Sequence, residues 1–105
     1  MIIVTTDTIP GKNIIKVIGY LSAGTVRSKN LGKDIGAGLK GLAGGEIHSY
    51  TEMQEESRKI AVGRLIEKAE KEGANAIVGL RLTSSSIMST ASEMVAYGTA
   101  VVIEE

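Results

Sequence analysis

The sequence contains no cysteine, no phenylalanine and no tryptophan, and it has a single proline and a single histidine. Without cysteine there is no disulfide, no thiolate nucleophile and no Cys-ligated zinc or iron-sulfur site. Three tyrosines are the only aromatic residues, so the core must be built from Ile, Val, Leu, Ala and Met. Such side chains bury less area per position than large aromatic ones, and we expect self-association to add the missing burial.

An excess charge of either sign is also missing, because twelve basic side chains balance twelve acidic ones. A net charge of zero provides no long-range field toward nucleic acid or an anionic membrane. No run approaches the ~20 apolar residues that span a bilayer. The first segment, MIIVTTDTIPGK, lacks the basic region of a secretory signal. We therefore expect a cytoplasmic protein with neither nucleic acid nor membrane as a partner.

The chain of 105 residues is long enough for one domain, which we expect to span residues 1–105. Short β-branched runs predict a first, edge strand at 2–5 and a second, longer strand at 14–28. Gly19 and Gly24 interrupt the second run, which indicates a strand with a bulge or a bend.

The second half of the chain predicts one helix and two strands. Apolar residues at steps of three and four predict a long helix over 46–72, ended by Gly73. Strands at 74–82 and 93–103 follow, joined by a polar loop, and these two strands are placed to form a hairpin. The sequence therefore predicts an α+β fold, in which a small, largely antiparallel sheet of about four strands packs against the long helix.

The glycine-rich segment 30–45 contains GAGLKG at 36–41, which matches the G-x-G-x-x-G pattern of a dinucleotide-binding turn. That turn requires an acidic residue about 20 positions later at a strand end, but here this position falls inside the predicted long helix. A P-loop is excluded too, because Gly32-Lys33 is followed by Asp34. The nucleotide interpretation is therefore disfavoured.

We interpret the same segment as a short Gly-rich helix. Each glycine inside a helix costs about 0.8–1 kcal/mol relative to alanine, so a compensating contact is needed. Small residues one turn apart let two backbones approach closely, and we predict that the approaching element belongs to another subunit. The residues predicted to serve this close packing are Gly36, Gly38, Gly41, Gly44 and Gly45.

A wider pattern carries a family resemblance. Gly44-Gly45 and Tyr50 precede a charged helix, and the segments GANAIVG (73–79) and GTAV (98–101) follow it. In this pattern the chain resembles the YbjQ-like family of small bacterial and archaeal proteins over nearly its whole length. The resemblance implies an α+β fold and a homopentamer. Some members carry a heavy-metal-binding label, but most are uncharacterised, so the resemblance implies a fold and an assembly rather than an activity.

The only histidine, His48, is a candidate metal ligand together with Glu46 and Glu52. Glu52 lies one helical turn after His48 and therefore shares its helix face. One imidazole and two carboxylates make a weak site for a divalent metal, whereas a pentamer would repeat His48 five times around an axis. The alternative is an ordinary surface histidine near the start of a helix. No other cofactor is expected.

A basic cluster formed by Arg27, Lys33 and Lys40 surrounds the glycine segment. Together with backbone amides at a helix start it is suited to hold a small anion. Solubility and pairing with the acidic residues of a neighbouring subunit are the alternative roles.

No catalytic residue is predicted. The chain has no G-x-S-x-G elbow, and no spacing selects a Ser-His-Asp triad. Three hypotheses follow: a non-enzymatic homo-oligomeric binding or structural module, a metal-sequestering protein, and an enzyme with an intersubunit site.

Overall fold

The computed structural model describes the backbone of residues 1–28, 45–88 and 91–105, and the side chains of residues 1–26, 51–87 and 91–105. The secondary structure within these ranges is β1 (Ile2–Ile3), β2 (Ile14–Ser28), α1 (Gly45–Lys71), β3 (Ala76–Met88) and β4 (Ala91–Ile103). These elements form a four-stranded mixed sheet with α1 packed on one face, which confirms the predicted α+β class. The predicted short Gly-rich helix lies outside the described residues.

The sheet has the strand order β1-β3-β4-β2, so β1 and β2 lie at its two edges. β4 pairs antiparallel with β3 on one side and with β2 on the other, whereas β1 runs parallel to β3. The consecutive strands β3 and β4 form the predicted hairpin. The three long strands are thus antiparallel to their neighbours, and only the two-residue β1 adds a parallel pair.

The hairpin is longer than the sequence predicts. The predicted polar loop at 83–92 is wrong, because β3 continues to Met88 and β4 begins at Ala91. Thr83 pairs with Val95 and Ser85 with Glu93 across the ladder. A serine-rich run has low intrinsic strand preference, but cross-strand partners on β4 stabilise it, and this context outweighs local propensity.

Two of the four register shifts in the described sheet fall at glycines. The register of β2 against β4 shifts between Val17 and Gly19, which confirms the bulge predicted near Gly19. The register of β3 shifts between Val78 and Arg81, around Gly79. An extra residue at such a shift increases the local twist of the strand.

Helix α1 contacts the sheet through a narrow row of small side chains. Ser57, Ala61, Leu65 and Ala69 recur at exact four-residue steps and are all buried, as the predicted stripe requires. The facing sheet residues are also small or flexible, namely Ala23, Met94, Ala96 and Ala100. Small side chains on both layers let the helix and the sheet approach closely. The Oγ of Ser57 donates to the carbonyl of Met53 at 2.9 Å, so this buried hydroxyl is satisfied within the helix.

The C-terminus of α1 ends at the predicted glycine. Gly73 has a φ of 86°, a left-handed conformation that glycine adopts at no steric cost. The amide of Ala74 donates to the carbonyl of Ala69 at 3.0 Å, and the amide of Gly73 donates to the carbonyl of Glu70 at 3.0 Å. These two bonds form a Schellman motif, which turns the chain directly toward β3.

The two faces of the sheet are covered unequally. Along β4 the side chains of Met94, Ala96 and Ala100 are buried beneath α1. On the opposite face Val101 and Ile103 are buried in a second, smaller cluster with Ile9. Val95, Tyr97 and Thr99 alternate with the residues beneath α1 and therefore lie on the opposite face, where they are half-buried or exposed. The segment preceding β2 therefore covers only one end of the face that α1 leaves open.

Asn75 joins the end of the helix to the sheet. Its Oδ1 accepts from the amide of Ile103 at 2.7 Å, and its Nδ2 donates to the carbonyl of Ile103 at 2.9 Å. The amide of Asn75 also donates to the carbonyl of Val101 at 3.1 Å. The side-chain amide thus pairs with Ile103 as a strand backbone would, which holds the last residue of β4 in place.

Replacing Asn75 with alanine is expected to lower the free energy of unfolding by about 2 kcal/mol, because two half-buried backbone groups of Ile103 lose their partners. Asn13→Ala is the matched control, since Asn13 donates only to the exposed carboxylate of Glu104 at 3.0 Å. We expect the control to cost less than about 0.5 kcal/mol. Chemical denaturation of both variants measures the difference, and equal losses would contradict the role given to Asn75.

Candidate functional site

The two flanks of α1 differ in chemistry. On the flank toward β2, the Arg64 guanidinium donates to the carbonyl of Gly24 at 2.8 Å, and Nζ of Lys68 donates to the carbonyl of Ser22 at 2.8 Å. Residues 64 and 68 are one turn apart, so both side chains extend from the same flank. They place two cations along an edge strand, a position where charge discourages further strand pairing.

The opposite flank of α1, toward β3, forms an apolar groove. Val62 and Ile66 are half-buried, and Leu82 of β3 is 41% exposed. This "helix groove", of about 470 Å³, is lined by Arg58, Lys59, Val62, Gly63, Ile66 and Leu82. Its floor is aliphatic and its basic residues lie at one end, so it is suited to an apolar surface with an acidic margin.

Gly63 is an unexpected residue in this groove. It lies within the 27-residue helix and is exposed. A Cβ placed on Gly63 would meet no described heavy atom within 4 Å. A glycine at such a position costs about 0.8–1 kcal/mol relative to alanine. Packing within the described part of one chain does not account for it.

A second apolar surface covers the sheet face opposite α1. Cross-strand partners share a face, and Tyr20 pairs with Thr99, Ser22 with Tyr97, and Val26 with Glu93. Tyr20 is 82% exposed, Val26 57% and Tyr97 42%. The "open sheet face" is defined by Tyr20, Val26, Glu93, Val95, Tyr97 and Thr99.

Arg81 lies beside Tyr97 on the open sheet face. Its guanidinium donates to the carbonyls of Thr5 and Leu80 at 2.8 and 2.9 Å. The side chain is therefore held against the backbone of its own subunit. The exposed aromatic side chains of this face are Tyr20 and Tyr97.

A third concavity, of about 390 Å³, lies where the two chain ends meet and includes Met1, Lys12, Glu70 and Glu104. Asn75 also lines it, but its side-chain amide is bonded to Ile103. Charges of both signs surround this depression. They do not converge on one point as a catalytic or metal-binding cluster requires.

The predicted metal ligands are only partly described. Glu52 is exposed on α1, while Glu46 and His48 belong to the helix without described side chains. Among the residues whose side chains are described, no group of three or more His, Cys, Asp or Glu is placed to hold a metal ion. The set of His48, Glu46 and Glu52 stays a prediction.

The predicted anion-binding and assembly residues lie mostly outside the described ranges. Arg27 is in β2 opposite Ser92, without a described side chain, and Lys33 and Lys40 are outside. Gly45 is the first residue of α1. The other assembly glycines, Gly36, Gly38, Gly41 and Gly44, are also outside, so both sets stay predictions.

Sequence reasoning did not single out Tyr20, Tyr97 or Gly63. A signal for Gly63 was present, since a lone glycine inside a strong helical pattern is costly and often has a packing reason. For the tyrosines, the sequence predicted the two strands on which Tyr20 and Tyr97 lie, β2 and β4. It did not indicate which face the helix would leave open, because that depends on the register between strands.

No helix in the described parts of the chain is long and apolar enough to cross a membrane.

In the described part of the chain, a four-stranded mixed sheet and one long helix define a small α+β protein with two exposed apolar surfaces. A family model described as "Putative heavy-metal-binding" matches residues 1–104. The chain belongs to this YbjQ-like family.

Relatives named UPF0145 protein cover the full chain. The protein from Clostridium perfringens strain ATCC 13124 is 57% identical over 105 residues, which span all of this chain and 99% of the relative. The protein from Thermosipho africanus is 54% identical over 105 residues, spanning 100% and 97% of the two chains.

A solved structure shares the fold. The crystal structure of a protein with unknown function, of the DUF74 family, from Pediococcus pentosaceus ATCC 25745 matches with a TM-score of 0.72. The match covers 99% of this chain and 98% of the other, at 18% sequence identity. At this identity the likeness shows the fold alone.

The double variant Arg64→Ala/Lys68→Ala is expected to lose about 1 kcal/mol of unfolding free energy and to aggregate faster on heating. Two charge-assisted bonds to β2 are lost, and the edge strand becomes open to pairing with other chains. Lys12→Ala/Lys71→Ala changes the charge equally and serves as the control. Light scattering during a thermal ramp measures the effect, and indistinguishable aggregation of the two variants would contradict the protective role.

Proposed function

We propose that this protein is a cytoplasmic, homo-oligomeric binding or structural module without catalytic activity, assembled as a closed ring. The open sheet face is the observation that carries the proposal. Tyr20, Val26 and Tyr97 expose large side chains together on one side of the sheet. Large apolar side chains exposed together on one face favour contact with another macromolecule.

The dimensions of the chain support self-association. The principal extents are 54 × 22 × 16 Å, and the radius of gyration is 17.3 Å, compared with about 13 Å for a compact domain of this length. The elongation agrees with the strands, since the 15 residues of β2 alone span about 50 Å. In the part of the chain that the structure describes, one helix covers one face of this long sheet and leaves much of the other face exposed.

The accessible surface supports the same conclusion. The chain exposes 6661 Å², whereas a compact monomer of 11.0 kDa exposes about 5,600 Å². The difference, about 1,000 Å², is comparable to the ~800 Å² that one partner contributes to a standard interface. In a closed ring each chain contributes one such patch to each of two neighbours, about 1,600 Å² in total, which is more than this excess.

Membership of the YbjQ-like family supports a ring of five copies, since the resemblance implies a homopentamer. In such a ring, ligand-binding clefts lie between subunits. The basic residues Arg27, Lys33 and Lys40 are the candidates for holding a small anion there. An enzyme with an intersubunit site is the alternative, and it requires polar side chains from two copies to converge at one cleft.

Light scattering coupled to size exclusion tests the assembly directly. At micromolar concentration we expect one species of about 55 kDa, five times the 11.0 kDa chain. Dilution to nanomolar concentration should shift this mass toward the monomer. A single 11 kDa species at all concentrations would remove the proposal.

Metal binding is the second candidate, favoured by the family description "Putative heavy-metal-binding". The donor set fits such a role poorly. The chain has no cysteine and one histidine, whereas soft metals prefer thiolate or several imidazoles. Of the methionines, Met94 is packed in the core beneath α1. The described residues thus do not provide a heavy-metal site within one chain, and only His48 repeated in an oligomer would raise the number of ligands.

Calorimetric titration with zinc, copper and nickel distinguishes the two candidates. Under the leading proposal we expect no binding near one ion per chain, because a single imidazole with carboxylates holds these ions weakly. Near-stoichiometric uptake that His48→Ala abolishes would establish the metal candidate instead. Glu105→Gln, at the last residue of the chain, is the control for non-specific binding.

A further inference from the structure

We propose that the open sheet face of one copy packs into the helix groove of the next copy, with Gly63 at the point of closest approach. This inference rests on the proposed self-assembly and identifies its two contact surfaces. The occupant of the helix groove is thus a second copy of this chain.

The first argument is the layer structure of the sheet. An antiparallel sheet can leave one face to water when that face is polar, but the face that α1 leaves open exposes Tyr20, Val26 and Tyr97. In the described part of the chain the other face is buried only at one end, around Ile9 and Val101. If α1 of the next copy lies over the open sheet face, each sheet is covered by its own helix on one side and a neighbour's helix on the other.

The second argument is Gly63. Its exposed position in α1 meets no described atom of its own chain within 4 Å of a Cβ, so its cost in helix stability has no local compensation. A helix without a side chain at this point allows another backbone or an aromatic ring to approach closely. The open sheet face provides such rings in Tyr20 and Tyr97.

The third argument is that the two surfaces match in charge and length. The helix groove has Arg58 and Lys59 at one end and Ile66 at the other, about 12 Å apart along the helix axis. On the open sheet face, Glu93 and Tyr97 are four residues apart on β4, or about 13 Å. Glu93 of one copy is therefore placed to meet the basic end of the neighbouring groove while Tyr97 meets its apolar end.

The symmetry of the assembly follows from this pairing. The helix groove and the open sheet face are different surfaces on opposite sides of one sheet. A contact between two unlike surfaces is heterologous, and it repeats from copy to copy until the ring closes. A two-fold dimer, in contrast, would pair each surface with itself.

Two variants block one surface each. Gly63→Leu fills the helix groove with a good helix-forming residue, so the isolated chain should keep its fold and melt at a higher temperature. Tyr20→Lys/Val26→Lys places two cations on the open sheet face at its most exposed apolar positions, both on edge strand β2. Lys71→Leu, in the last turn of α1, is the matched control for added surface hydrophobicity.

The test is native mass spectrometry of each variant alone and of the two mixed in equal amounts. We expect each to be monomeric and Lys71→Leu to assemble fully, with circular dichroism confirming that all are folded. The mixture should form a 1:1 heterodimer of about 22 kDa and nothing larger, because only one intact groove and one intact face remain per pair.

Three other outcomes would each contradict part of this proposal. If the unaltered chain is monomeric, the proposed assembly itself fails. If the unaltered chain assembles and either blocked variant also assembles fully, self-assembly stands but these surfaces are not its interface. Two folded monomeric variants that give no heterodimer would overturn the pairing of groove with face.

Discussion

One helix of 27 residues covers only one face of a four-stranded sheet, and most other features of the described structure depend on this incomplete cover. The row of Ser57, Ala61, Leu65 and Ala69 brings α1 close to β2 and β4. Because the row is narrow, one flank of the helix stays apolar and exposed beside Leu82. Because there is only one long helix in the described residues, the opposite face of the sheet stays open around Tyr97.

Among the residues whose side chains are described, no large aromatic side chain lies in the core, which is consistent with this architecture. Alanines on both layers permit close packing but bury little area per residue. The tyrosines Tyr20 and Tyr97 instead lie on the open sheet face. Tyrosine provides a large contact area with a polar tip, which makes it common at protein interfaces. The two tyrosines with described side chains therefore lie at the surface of the chain and not in its core.

Family membership and structure point to different kinds of function. The family description names heavy metals, yet the described side chains contain no cluster of three ligands, and the chain lacks cysteine. Among the described residues, the two exposed apolar surfaces are better defined than any chemical site. Arg64 and Lys68 donate to the backbone of edge strand β2, where their charges discourage pairing with a strand of another chain. The open sheet face and the helix groove stay accessible.

The sequence by itself determined the class of fold, the long helix with its cap at Gly73, the bulge near Gly19 and the hairpin of β3 and β4. These features depend on local periodicity, on backbone conformation and on short-range pairing, which a single sequence encodes directly. Only the tertiary structure decided that Thr83–Ser86 belong to a strand, that Asn75 pairs with Ile103, and that Tyr97 faces away from the helix. Each of these depends on which distant residue lies opposite, and strand register sets that partner across the whole sheet.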